Sequence, residues 1–416
     1  MYFDVMRDRD LYAKILGLEQ PWHVTDVSLD VEGGTVEVFV EHRGALNCPQ
    51  CGKSIAGYDV RRRQWRHLDT CQFRTHLVAD VPRVSCEEHG VLQIAVPWAE
   101  ANSRFTALFE SVVIDWLKEA SAAAVSRRMQ LSWDQVDGIM SRAVERGLAR
   151  RDDVCPTRIG IDETAYQKHF EYVTVVTDLD EGRVLDVADG RRLDCLDRFF
   201  AELGEAKRSA IKVVAMDMWR AYMNMVRRHL PNAVIAFDKF HIAKYLGDAV
   251  DTVRKQEHRQ LRGEGDETLK RTKYLWLQNP AKMSEERWSR FQALRSSSLR
   301  TARAWAMKEA AMQLWDYVRP SWARRAWKAW LGWASRSRLA PMIRVGRLIH
   351  DHLDGIINAV VMRTTNAMGE SMNAKIQRIK ARACGYRNRR RFRNAILFHL
   401  GGLDLNPDLS SAHTRS

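Results

Sequence analysis

Three apolar runs in the middle of the chain each close on an aspartate: RIGID at Asp162, VVAMD at Asp217 and VIAFD at Asp238. Short apolar runs of this kind read as buried strands. A buried parallel strand delivers its last side chain to the carboxyl edge of its sheet, where crevices open and ligands sit. Three such strands demand an α/β fold with acids gathered at one edge. Carboxylates meeting there repel one another unless a cation fills the gap, so the set points to a divalent-metal site. For any one aspartate taken alone the better reading is a turn former or a helix N-cap, as Asp217 before MWRAYMNMV illustrates. The strand order favours the site for the set.

Around these runs the pattern predicts strands near Arg158 to Asp162, Tyr172 to Asp178, Arg183 to Val187, Ile211 to Asp217 and Ala233 to Asp238. The turn Asp178-Leu-Asp-Glu-Gly182 makes the second and third a hairpin. Helices are expected over about Leu193 to Leu203 and Trp219 to His229. From Phe240 to about Val361 the chain reads as continuously helical and holds eight of its fourteen tryptophans. Their mixed spacing places most in helix contacts and leaves a minority to stack on bases.

The N-terminal region alternates as short strands around Cys48-x-x-Cys51 and, 35 residues on, Cys86-x-x-His89. Paired knuckles of this spacing suit tetrahedral structural Zn²⁺; the alternative is that Cys86 and His89 are incidental neighbours. Residues 105–150 read as helices with a helix-turn-helix in the middle: about Ser121 to Met129, a turn at Gln130-Leu131, and a second helix opening on the capping box Ser132-x-x-Gln135. Val136, Ile139, Met140 and Ala143 form its buried face. That leaves Arg142 and Arg146 for phosphate and Gln135 for a base edge; a small structural three-helix unit fits the same pattern.

With 66 Lys and Arg against 52 Asp and Glu, the net charge is +14, which favours polyanionic partners, nucleic acid first. The charged opening segment and the lack of a long apolar stretch predict a soluble, unsecreted protein without a membrane span. Seven scattered cysteines fit a reducing compartment. The most basic stretch, Arg363 to Arg393, holds ten Lys or Arg and one acid, Glu370. On a helix, that carboxylate can complete a metal cluster while Lys375, Arg378, Lys380, Arg382 and Arg387 hold a phosphate backbone. The plainer reading is a surface glutamate paired with Arg378 or Lys375, worth about 0.5 kcal/mol or less.

Taken in order, the two knuckles, the helix-turn-helix, GIDE, MDMWRAYMN, FDKFHIAK, LDGIINAV and NAMGESMNAKIQRIKARACGYRN closely resemble the ISL3 family of bacterial insertion-sequence transposases, over nearly the whole chain. The chain departs from the family pattern at Ala367, Ser371 and His89. The resemblance implies an RNase H-like catalytic core of the DDE type interrupted by a long helical insertion. It implies Asp162, Asp217 and Glu370 as the acid triad, holding two Mg²⁺ (or Mn²⁺) ions, and Asp238 as an accessory acid. The implied organisation is a zinc-binding module over 1–98, a helix-turn-helix over 99–152, the catalytic core over 153–240 and 356–402, a helical insertion over 241–355 and a tail over 403–416. The implied partners are double-stranded DNA, as terminal inverted repeats and target, and further copies of the chain, in the bacterial cytoplasm at the nucleoid. A non-catalytic regulator bound to the same repeats and a nuclease on the same fold are the rival readings.

Overall fold

A computed structural model of the chain describes residues 7–151, 154–167, 172–190, 196–278, 280, 283–362 and 367–408, with only the backbone at 367, 368 and 370. The chain divides into two units, Met1–Asp152 with Gly402–Ser416, and Asp153–Gly401.

In the first unit α1 (Asp8–Ile15) precedes β1 (Trp22–Asp30), β2 (Thr35–His42), β3 (Gly57–Arg66), β4 (Arg74–Cys86) and β5 (Gly90–Gln93). The sheet order is β1-β2-β4-β3, with β5 on the end of β4. Alternation sends Val36, Val38 and Val40 of β2 inward against Leu77, Ala79 and Trp65. Trp22, Trp98 and Trp65 close this core edge to face, at centroid distances of 4.8 and 5.4 Å. Three helices follow, α2 (Ala107–Glu119), α3 (Ala122–Met129) and α4 (Trp133–Ala149). Thr106, Ser121 and Ser132 each cap one of them through a side-chain oxygen, and Gln130 makes the left-handed turn between α3 and α4 at φ 53°. The expected capping box is present: Ser132 N donates to Gln135 Oε1 at 2.8 Å and Gln135 N to Ser132 Oγ at 3.2 Å.

In the second unit β6 (Arg158–Ala165), β7 (Tyr172–Asp178) and β8 (Arg183–Asp189) form a meander. Next come α5 (Asp197–Ala210), β9 (Val213–Met216), α6 (Arg220–His229) and β10 (Val234–Phe237). The sheet order is β10-β9-β6-β7-β8, parallel across the first three and antiparallel across the last three. The expected start of α5 near Leu193 falls outside the described residues; the described helix begins at Asp197. Another expectation is corrected: β6 does not end on Asp162 but runs to Ala165, because β7 continues to pair with it as far as Ala165–Tyr172.

The helical stretch is α7 (Lys239–Gly263), α8 (Lys273–Leu277), α9 (Glu285–Arg295), α10 (Arg300–Gln313), α11 (Pro320–Arg336), α12 (Ala340–Asp351) and α13 (Leu353–Val361). Both α10 and α12 pack on α7. Leu299 offers α10 no side-chain cap; Glu257 of α7 does so instead, accepting Arg300 N and Thr301 N at 2.7 Å each. Most of the tryptophans here are core: Trp276, Trp327 and Trp330 are buried and Trp288, Trp305 and Trp315 pack against them, whereas Trp322 and Trp333 are exposed. The stretch returns to the sheet through α13, where Asn358 Nδ2 donates to Ile235 O at 3.0 Å. Gly355 permits that approach, since a Cβ there would lie 2.3 Å from the Phe237 ring. The unit ends with α14 (Ala367–Arg382) and α15 (Arg389–Leu400). Among the described residues no helix is long and apolar enough to cross a membrane.

Candidate functional site

Register brings the three aspartates level. Ile161 of β6 pairs with Met216 of β9, and Met216 with Phe237 of β10. The next residue on each strand is Asp162, Asp217 or Asp238, so three neighbouring parallel chains present an acid in one row. All three line one pocket together with His241, Met372 and Asn373. Asp162 Oδ1 accepts Glu163 N at 2.7 Å, Asp217 Oδ1 accepts Met218 N at 2.6 Å, and Asp238 Oδ1 accepts Phe240 N at 2.7 Å and so caps α7. The N-cap reading therefore holds for Asp238 rather than for Asp217: α6 begins at Arg220 with Trp219 as its N-cap residue. Asp238 is also the most enclosed of the three, its side chain 8% exposed against 29% for Asp217 and 34% for Asp162.

His241 stands one turn into α7 and touches every member of the row. Its ring nitrogens lie 3.9 Å from Asp162, 3.5 Å from Asp217 and 3.8 Å from Asp238. Burial, and then the Asp217 carboxylate, push the Tyr245 phenol one turn further on above its usual range. The donor set is hard carboxylate oxygen at the edge of a parallel sheet, which suits a hard divalent cation.

Helix α14 is fastened along β6 by one face. Asn373 Nδ2 donates to Asp162 Oδ2 at 2.5 Å, Gln377 Nε2 to Thr164 Oγ1 at 3.0 Å and Lys380 Nζ to Ala165 O at 2.8 Å. Spacings of four and three residues make these one helical stripe. Glu370 occupies this helix one turn before Asn373; its side chain lies outside the described residues. Lys380, expected to hold phosphate, directs its ammonium to a backbone carbonyl of β6. Arg378, Arg382 and Arg387 are exposed, and Lys375 is half-buried.

The knuckles meet as expected. Cys48, Cys51, Cys86 and His89 place their ligand atoms within 4.8 Å of one another. Cys51 Sγ and Cys86 Sγ are 3.8 Å apart, the separation of two sulfurs bound tetrahedrally at about 2.3 Å to one zinc. Gly52 at φ 73° and Gly90 at φ 69° turn the chain after each knuckle. The His89 imidazole beside it pushes the Cys86 thiol down to about 6, toward the thiolate that a metal binds.

The helix-turn-helix arginines do not stand as expected. Arg142 donates from Nε at 3.1 Å to Glu110, whose side chain is 2% exposed. Arg146, itself 8% exposed, forks onto Glu100 with two contacts of 2.6 Å, reaches Glu110 at 3.4 Å and donates to Leu405 O. Neither guanidinium is left free for phosphate: Glu110 of α2, Glu100 in the segment before it and the Leu405 carbonyl of the returning C-terminal segment hold them, which the helix pattern alone does not reveal. Gln135 is exposed, with its carbonyl oxygen committed to the cap.

Residues 159–396 match the family model described as "Transposase" of the ISL3 type. The chain belongs to the ISL3 transposase family. Residues 94–144 of this transposase match the "Helix-turn-helix domain of transposase family ISL3", and residues 46–89 the "zinc-finger of transposase IS204/IS1001/IS1096/IS1165". The second of these spans all four candidate zinc ligands. The chain is 28% identical to the transposase for insertion sequence element IS1557 of Mycobacterium tuberculosis over 418 residues, covering 92% of this chain and 93% of that protein. It is also 28% identical to the transposase for IS1001 of Bordetella parapertussis over 395 residues, covering 93% and 97%.

In this ISL3 transposase two residues of the acidic pocket, His241 and Asn373, lie within the motifs FDKFHIAK and NAMGESMNAKIQRIKARACGYRN without a role assigned to them by the sequence. His241 lies three residues after Asp238, a spacing that puts both on one helix face. Asn373 lies three after Glu370 for the same reason. In each case the signal was a polar residue one turn from an acid, too common to single out.

Proposed function

We propose that this transposase binds the terminal inverted repeats of an insertion sequence and carries out metal-dependent strand cleavage and strand transfer into target DNA. Asp162, Asp217 and Glu370 are its acid triad and Asp238 an accessory acid. The sheet, α14 and α15 form an RNase H-like core over 153–240 and 356–402, and the helices over 241–355 form an insertion. The observation that carries the proposal is the row of three aspartates on adjoining parallel strands, with the helix of Glu370 fastened along the first of them.

Asp162, Asp217 and Glu370 would hold two Mg²⁺ or Mn²⁺ ions, which when bound supply Lewis-acid activation of the attacking oxygen and stabilisation of the leaving 3′ oxygen. The chain's own residues do the placing. Asn373 holds Asp162 in orientation, and the Asp217 and Asp238 carboxylates are fixed by backbone amides at the starts of the segments that follow them. Arg378, Arg382 and Arg387, with Lys375, grip phosphate in a contact that weakens steeply with salt. The zinc module and the helix-turn-helix, with Gln135 at a base edge, recognise the repeats. Joining two ends in one event calls for two or more copies of the chain on DNA at the bacterial nucleoid.

The test is an excision assay in cells with a plasmid carrying the element's flanking DNA, scored by sequencing junctions. Unmodified protein yields excision and insertion junctions, and Glu370→Gln and Asp217→Asn yield none while still binding the ends. Equal junctions with all three proteins remove the triad. No junctions from any of them, with end binding retained, leaves a DNA-bound regulator as the better account.

A further inference from the structure

The proposed function leaves one surface without a task. Helix α11 carries four tryptophans on two faces. Trp327 and Trp330 turn inward, the latter donating from Nε1 to Met307 O at 2.8 Å. Trp322 and Trp333 point outward, 57% and 38% exposed. Eleven residues separate the outward pair, so on a helix they fall within about 20° of one line and about 16 Å apart. An exposed tryptophan alone needs no explanation. Two on one line, with small Ala329 between them and arginines beside them, form a pattern.

Arg325 and Arg336 share that face, and the Arg336 guanidinium lies across Gly332, where a Cβ would come within 3.3 Å of it. Arg324, to one side, is paired with Asp354 at 2.7 Å. Among the described residues Arg325, Lys328 and Arg336 make no ion pair. From Pro320 to His350 the sequence holds seven Arg or Lys and not one acid. A surface that combines flat aromatic rings with unneutralised positive charge complements a polyanion that has flat faces to offer. Duplex DNA hides its base faces in the stack, and unpaired DNA exposes them.

We propose that the outward face of α11, with Trp322 and Trp333 as stacking platforms and Arg325 and Arg336 as phosphate contacts, binds unpaired bases of the DNA on which the enzyme acts. The site rests on the transposase reading above and adds a subsite to it. Platforms about 16 Å apart subtend about five bases at the stacked spacing of 3.4 Å. Stacking of this kind is tolerant of sequence, so the face would hold an opened or tailed end without reading it.

The experiment uses the full zinc-loaded chain and two fluorescent probes: a flush duplex of the element's end, and the same duplex with a short single-stranded tail. Affinities are read by anisotropy across a salt series. The unmodified protein binds the tailed probe more tightly. Trp322→Ala with Trp333→Ala loses at least about tenfold on the tailed probe and nothing on the flush one, and the double Phe variant retains most of the preference. Arg325→Gln with Arg336→Gln lowers the slope of log affinity against log salt by about 1.4 on the tailed probe. All substituted side chains are exposed, and an unchanged melting temperature confirms folding.

Equal losses on both probes mean a duplex contact and overturn the assignment to unpaired bases. No loss on either means that the face does not touch DNA. A DNA-free self-association that the Trp variant abolishes in sedimentation assigns the face to a second copy of the chain instead. Running the same variants in the excision assay separates the two readings: if unmodified protein gives no junctions yet prefers the tailed probe through Trp322 and Trp333, the transposase reading fails and the surface stands.

Discussion

Arg146 decides between a sequence expectation and a structural one. As a phosphate contact, its loss would weaken DNA binding and leave the fold alone. In the structure it is a buried cation held by the Glu100 fork, by Glu110 and by the Leu405 carbonyl. Its guanidinium holds the Glu100 carboxyl below the usual range. Arg146→Ala strips a partner from Glu110, a nearly fully buried carboxylate, and breaking a buried pair in this one-sided way costs about 3–5 kcal/mol. Arg142 remains on Glu110, so the lower end applies. At about 2–4 °C per kcal/mol for a unit of this size, melting falls by roughly 10 °C. Thermal unfolding of the full chain, with hydrogen exchange read at α2 and α4, measures the loss and locates it. A variant that melts like the unmodified protein, yet binds the repeats with a salt slope smaller by about 0.9, would refute the structural assignment and restore the phosphate contact.

Three further outcomes follow from the sites. Cys86→Ser, or a strong chelator, takes the zinc content from about one ion per chain toward zero, and because binding energy in such modules is folding energy, limited proteolysis then cuts within residues 46–93; undiminished protection would mean that the strands hold without the metal. Burial pushes His399 down to about 4, so the folded protein keeps that imidazole neutral where the unfolded chain, near pH 6.5, takes up a proton. The associated stability is present above pH 6.5 and is lost as pH falls to 4, about 3 kcal/mol in all; His399→Gln should flatten the urea midpoint over that range, and an unchanged slope would remove His399 as the cause. Asp238→Asn keeps the α7 cap, since asparagine caps as well as aspartate, so melting holds; retained excision junctions would make Asp238 an accessory to the fold, and lost junctions a ligand in its own right.

How much of this was legible depends on how far apart the interacting residues lie in sequence. The zinc knuckles, the Ser132–Gln135 box and the strands near Asp162, Asp217 and Asp238 are local patterns, and the structure places them within a few residues of expectation. Other features are decided by distant segments. The run of β6 past Asp162 is set by β7. The fate of Arg146 is set by Glu100 and by Leu405, 259 residues away. The assignment of Asp238 rather than Asp217 as an N-cap turns on where each following helix begins, which differs by a few residues that composition does not fix. The tryptophans of α11 look alike in sequence; packing of its inner face against α10, α12, α13 and the Trp315 ring is what buries Trp327 and Trp330 and leaves Trp322 and Trp333 to solvent.

The row of aspartates and Glu370, the acid proposed to join it, are separated by more than a hundred residues, and the geometry of the second unit explains how α14 is held beside the sheet. The chain leaves the sheet at Asp238 and returns to the same strand through α13, where Gly355 closes on Phe237 and Asn358 bonds Ile235. Closing a long stretch costs only about 0.6 kcal/mol more for each doubling of its length, and these helices share one continuous core with the sheet, Trp276, Phe291 and Trp327 lying in the same cluster as Ile161, Met216 and Phe237. Departure and return on one strand then let α14 reach β6, where Asn373, Gln377 and Lys380 set its register one bond at a time. The position of Glu370 along that helix is therefore fixed by contacts to the strand that carries Asp162. A substitution deep in the helical stretch acts on the acidic pocket by loosening α13 or α14 from the sheet, or by shifting α7, on which α10 and α12 pack and which carries His241.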